Sequence, residues 1–120
     1  MRYSLYNNTK RVVLAEKLLI ADRFWSRMIG LLGRKELPGR EALLIVPCNS
    51  IHTMFMRYPI DVLFINRDFF VLKTLENFRP WRIYYCRNKV FQVVELKAGT
   101  IAKTGTAVGD KLVKLSKGGD

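Results

Sequence analysis

Fourteen consecutive residues, Cys48-Asn49-Ser50-Ile51-His52-Thr53-Met54-Phe55-Met56-Arg57-Tyr58-Pro59-Ile60-Asp61, hold most of the reactive side chains of this chain. His52 is its single histidine, and Cys48 lies four positions before it. That spacing puts both side chains on one face of a helix and also on one face of a strand. Three chemistries fit these residue types. His52 could take the proton of Cys48 while Asp61 orients the imidazole, as in thiol nucleophile catalysis. Cys48, His52 and Cys86, the second cysteine, could bind a transition metal, although a Cys-x-x-x-His pair without a second nearby pair falls short of zinc-site spacing. Finally, His52, Met56, Arg57 and Asp61 could be polar and adaptable fixtures of a ligand pocket. The ordinary alternative is structural: Cys48 as a small buried hydrophobe, His52 hydrogen-bonded, and Asp61 a turn or cap group beside an apolar run.

Further candidates lie outside this segment. Glu95 falls in an apolar stretch and is read as a second buried acid facing the site, although the pattern around it does not settle its face. Trp25, Trp81, Tyr84 and Tyr85 could stack on bases or sugar rings. Trp25 belongs to the apolar stripe of a helix, whereas Trp81, within Arg79-Pro80-Trp81-Arg82, suits an exposed platform. The tail paced by Gly99, Gly105 and Gly109 matches neither a phosphate-binding loop nor a dinucleotide fingerprint.

These groups need elements to position them. Residues 2–6 and 11–20 read as strands around the turn Asn7-Asn8-Thr9-Lys10. Phe24, Trp25, Met28, Ile29 and Leu32 recur at helical spacing, which predicts one main amphipathic helix over about 22–32. Short strands follow at 42–46, 60–65, 69–75, 83–86, 90–96 and 111–115, and the nearly continuous apolar run Ile60–Ile65 suits a strand buried on both faces. The expected fold is β-rich α+β: a mainly antiparallel barrel-like sheet or sandwich of about seven to eight short strands, with the helix covering one opening.

At 120 residues, with no linker or repeat, the chain reads as a single domain over 1–120. Folding hides about two-thirds of the surface of such a chain, enough for a core without disulfides or a structural metal. The composition, 49% apolar and 26% charged, excludes disordered and collagen-like classes. No apolar run approaches the length of a membrane span. Two cysteines and an N-terminus without an apolar signal core are read as cytoplasmic, with reduced thiols. A net charge of +11 favours anionic partners. The basic residues are scattered, however, so a nucleic-acid partner is possible but not favoured.

The signatures Arg27-Met28-Ile29-Gly30-Leu31-Leu32-Gly33-Arg34, Ile51 through Val62, Asn77-Phe78-Arg79-Pro80-Trp81-Arg82 and Val94-Glu95-Leu96-Lys97-Ala98-Gly99-Thr100 carry a resemblance. Over about residues 3–115 the chain resembles the bacterial and archaeal family known as domain of unknown function 192. The resemblance implies a compact β-rich domain with one main helix and no particular activity. Its site-like positions fall on Met56, Arg57, Pro59, Asp61 and Glu95, and the Cys48/His52 pair belongs to only part of the family.

The resulting expectation is a binding module without a cofactor. It would hold a small polar or anionic ligand in a pocket lined by His52, Met56, Arg57, Asp61 and Glu95. An enzyme using Cys48 and His52, by thiol or metal-assisted hydrolytic or redox chemistry, is the alternative. Binding of nucleic acid or an anionic surface by the basic exterior is the second alternative. Oligomeric state is not legible.

Overall fold

The computed structural model describes residues 2–21, 40–54, 56–86 and 89–117. The predicted helix over 22–32, Trp25 included, lies outside them. Among the described residues there are ten strands: β1 Arg2–Asn7, β2 Val12–Ala15, β3 Lys17–Ala21, β4 Glu41–Ile45, β5 Ser50–His52, β6 Ile60–Ile65, β7 Val71–Phe78, β8 Ile83–Tyr85, β9 Gln92–Lys97 and β10 Leu112–Lys117. A short helix, α1, spans Thr100–Thr104.

The strands form three sheets, ordered β10-β1-β2, β3-β4-β9-β6-β7 and β5-β8. All pairings are antiparallel except β3 with β4. The fold is therefore β-rich and mainly antiparallel, as expected, with ten strands among the described residues. Among the described residues the sheets stay separate, and no barrel closes. The expected strand over 11–20 is two strands. At Glu16 the chain leaves one sheet for another, and the backbone N–H groups of Glu16 and Lys17 both donate to the Arg40 carbonyl, at 2.9 and 3.0 Å.

The five-stranded sheet is apolar on both faces because layers cover both. Leu63 and Ile65 of β6, Val94 and Leu96 of β9, and Ala42 and Leu44 of β4 pack against Leu5, Leu14 and Ala15 of the three-stranded sheet. On the other face Ile60, Val62, Phe64, Val93, Leu43 and Ile45 pack beneath Ile51, Met56, Tyr58 and Tyr84. β6 lies between β9 and β7 and is buried along its whole length, which explains a sequence apolar at every position but Asp61. The β5-β8 ribbon thus rides on the second face, held down by Ile51 and by Tyr84, whose ring lies 5.5 Å from that of Phe64.

Candidate functional site

Strand alternation decides where each candidate points. Asp61 shares a face of β6 with Leu63 and Ile65, beneath the three-stranded sheet. Its carboxylate is buried and accepts three backbone hydrogen bonds: Asn77 N–H at 2.8 Å, Gly99 N–H at 3.1 Å and Ile101 N–H at 2.8 Å. Gly99 precedes α1 in the left-handed conformation (φ 96°) and offers no side chain as a cap, so Asp61 does that work from a neighbouring strand. The third donor belongs to Asn77, itself left-handed (φ 55°), where the β6–β7 register slips. Asp61 therefore fastens two backbone segments, β7 at Asn77 and the start of α1, to β6. It does not line a pocket with His52, contrary to the expectation from sequence.

Glu95 points the other way. Its cross-strand partners are Leu43 on β4 and Val62 on β6, both members of the second core cluster. It is 1% exposed, and its Oε2 has no hydrogen-bond partner among the described residues. Burial in this apolar layer raises its pKa to about 8, because the charged form loses its hydration. Met56 is buried in the same layer. Of the five expected pocket residues, then, Met56 and Glu95 share a buried layer, Asp61 lies across the sheet from them, and His52 and Arg57 are exposed.

The thiol arrangement does not assemble either. Cys48 and Cys86 are both half-buried, unpaired thiols packed against the second cluster. The Cys48 thiol donates to the Ser50 carbonyl at 2.9 Å. His52, opposite Ile83 in the ribbon, is exposed instead of sharing the orientation of Cys48, because the chain bends before β5 begins. With Asp61 on the far side of the sheet, a Cys–His–Asp relay has no geometry here. Among the described residues, no three His, Cys, Asp or Glu side chains gather in a metal-holding group. The metal reading of Cys48, His52 and Cys86 is accordingly not supported.

What the ribbon does present is an exposed face. Tyr84 turns inward, so its neighbours Ile83 and Tyr85 turn outward and are 72% and 56% exposed. Trp81 is 51% exposed just before the strand and holds a left-handed backbone (φ 63°), which is costly for a bulky residue. Thr53 enforces that shape. Its carbonyl accepts Trp81 N–H at 2.8 Å, its N–H donates to the Arg82 carbonyl at 2.8 Å, and its hydroxyl donates to the Arg79 carbonyl at 2.6 Å. The same hydroxyl accepts Arg82 N–H at 3.0 Å. Thr53, fully buried, was not singled out from the sequence, since a lone threonine beside a histidine carries no signal of its own. Arg57, Arg79 and Arg82 are exposed around this end of the ribbon. Further along, a cavity of about 450 Å³ is lined by Asn66, Arg67, Asp68, Lys89, Val90 and Phe91, and contains none of the expected site residues. There the Arg67 guanidinium carbon stands 3.8 Å from the centroid of the Phe91 ring.

A β-rich domain with a capped sheet core and an exposed basic-aromatic ribbon is the class these features define. The chain belongs to the DUF192 family, described as Uncharacterized ACR, whose profile matches residues 6–114. It is 33% identical over 113 residues to a UPF0127 protein of Pyrococcus furiosus, covering 90% of this chain and 95% of that one. A UPF0127 protein of Pyrococcus abyssi is likewise 33% identical, with 90% and 94% covered. Among solved structures, one from Sinorhizobium meliloti, described as a candidate transcription regulator, superposes with a TM-score of 0.81 at 25% identity, over 94% of this chain and 92% of its own. A protein of unknown function from Novosphingobium aromaticivorans has the same fold, with a TM-score of 0.78 at 21% identity, over 94% and 84%.

Proposed function

We propose that this chain is a binding module for a polyvalent anion, taken up on the β5–β8 ribbon and the two segments that flank it. One observation carries the reading. In sequence, the stretches 48–60 and 77–94, which include β5 and β8, contain no Asp or Glu, yet hold Arg57, Arg79, Arg82, Arg87 and Lys89 together with His52. Basic side chains thus prevail at this end of the ribbon, where Arg57, Arg79, Arg82 and His52 are exposed; Lys89, also exposed, lines the cavity that Asp68 shares. Basic positions far apart in sequence meet at one end because the ribbon pairs the two segments, with His52 opposite Ile83 and Thr53 bonded to Arg79 and Arg82. The ligand site moves outward from the pocket expected around Asp61 and keeps His52 and Arg57 of that expectation. The description of the Sinorhizobium protein concerns that protein; for this chain it adds weight only to a polyanionic ligand.

The test is titration with long-chain inorganic polyphosphate at about 50 mM salt, repeated at higher salt. Binding that weakens with salt, and that weakens several-fold further in Arg57→Ala/Arg82→Ala but not in Lys103→Ala/Lys114→Ala, is the expected result. Absence of binding, or equal loss in both double variants, overturns the reading.

A further inference from the structure

Resting on that anion-binding reading, we propose that the ligand class is single-stranded nucleic acid, with bases stacking on Trp81 and Tyr85 while the surrounding arginines meet the phosphates. Two independent observations meet at this face. The first is aromatic exposure: Tyr85 stands on the outward side of β8, and Trp81 lies two residues before Ile83 at the mouth of the same strand. Residues on one face of a strand stand roughly 6–7 Å apart, so Ile83 and Tyr85 form a continuous apolar step. The second is charge. Arg79 and Arg82 bracket Trp81, Arg57 is exposed nearby in the chain segment after β5, and no carboxylate lies in either stretch.

The platform is also held in place. Tyr84 and Ile51 anchor the ribbon in the core. Thr53 grips the backbone of Arg79, Trp81 and Arg82 through both its main chain and its hydroxyl. That grip keeps Trp81 in a backbone conformation that a tryptophan does not adopt unaided, and strain of this kind gathers at sites that bind. Aromatic rings in a positive groove bind single strands with little sequence preference, since every base has a stackable face and every nucleotide a phosphate. A duplex hides its bases from such rings, and a lipid headgroup offers none.

The experiment is fluorescence anisotropy of a labelled twelve-nucleotide oligo-dT strand, beside polyphosphate, a twelve-base-pair duplex and vesicles of phosphatidylserine with phosphatidylcholine. Trp81→Gly removes the ring and accepts the left-handed backbone readily. Tyr85→Thr removes the second ring and suits a strand. Each variant is expected to keep its thermal midpoint and its polyphosphate affinity while losing roughly tenfold in affinity for oligo-dT, and Tyr85→Phe to retain that affinity. Polyphosphate binding without any effect of these variants on oligo-dT overturns the stacking proposal and leaves the anion reading standing. Equal affinity for the duplex, or tighter binding to vesicles, also overturns it. Failure of both polyphosphate and oligo-dT to bind removes the two together.

Discussion

Asp61 and Glu95, on the adjacent strands β6 and β9, sit one position out of register and face opposite sides of the same sheet. Asp61 pairs across with Leu96, and Glu95 with Val62. The two buried carboxyl groups of this sheet therefore have unrelated fates. One receives three backbone N–H groups, and the other lies in an apolar layer with an oxygen that accepts none.

Asp61 governs folding. Asp61→Ala leaves three buried or half-buried N–H donors unmet and is expected to cost about 3–5 kcal/mol in urea denaturation. Asp61→Asn keeps one acceptor oxygen but turns an amide toward remaining donors, and should cost about 2–4 kcal/mol. Polyphosphate binding by the folded fraction is expected to be unchanged in either variant.

Glu95 makes stability depend on pH. Its folded pKa of about 8 lies above its unfolded value, so between roughly pH 4.5 and pH 8 the native state holds a proton that the unfolded state releases. Stability contributed by the protonated group is then full below that window, falls as pH rises through it, and levels off above. Glu95→Gln, which cannot ionise, should match the parent near pH 5 and exceed it above pH 8 by on the order of 3–5 kcal/mol. Parallel denaturation curves for the two proteins at both pH values would contradict this account.

Thr53→Val keeps the shape of a buried side chain and deletes the hydroxyl that meets the Arg79 carbonyl and the Arg82 N–H. A loss of about 2–3 kcal/mol is expected. Hydrogen exchange should also quicken at Trp81 and Arg82 before it does in β6 and β9.

The cysteines should behave as packing groups. Iodoacetamide is expected to modify Cys48 and Cys86 several-fold more slowly in native protein than in denatured protein, since both are half-buried against the second cluster. A Cys48 that reacts faster when folded would revive the thiol-enzyme reading.

Some of this was legible in the sequence and some was not, for physical reasons. β6 could be read at its correct bounds because a central strand covered on both faces has no polar side to mask its apolar run. β5 could not, since three residues, Ser50-Ile51-His52, carry too little periodicity. The partners of Asp61 are backbone N–H groups, which every residue but proline possesses, so no pattern of side chains marks them. The face of Glu95 depends on pairing register, and in a run apolar on both sides alternation says nothing about it. The Cys48–His52 spacing misled because same-face arithmetic assumes one continuous element, and Cys48 precedes the strand that holds His52.

The pairing of β1 with β10 has a consequence for how the molecule comes into being. Tyr6 lies opposite Val113, so the first strand made waits for more than one hundred further residues before its outer neighbour exists. At ribosomal speeds of about 5–20 residues per second, β1 and β2 spend several seconds as a two-stranded hairpin, which has marginal stability alone. The three-stranded sheet must therefore close late, over a five-stranded sheet already able to form. Contacts so distant along the chain make folding slow relative to a helical protein of this length. Leu5, fully buried in the finished fold, lies against side chains of β6 and β9 as well, and so stays uncovered until those strands too have been made.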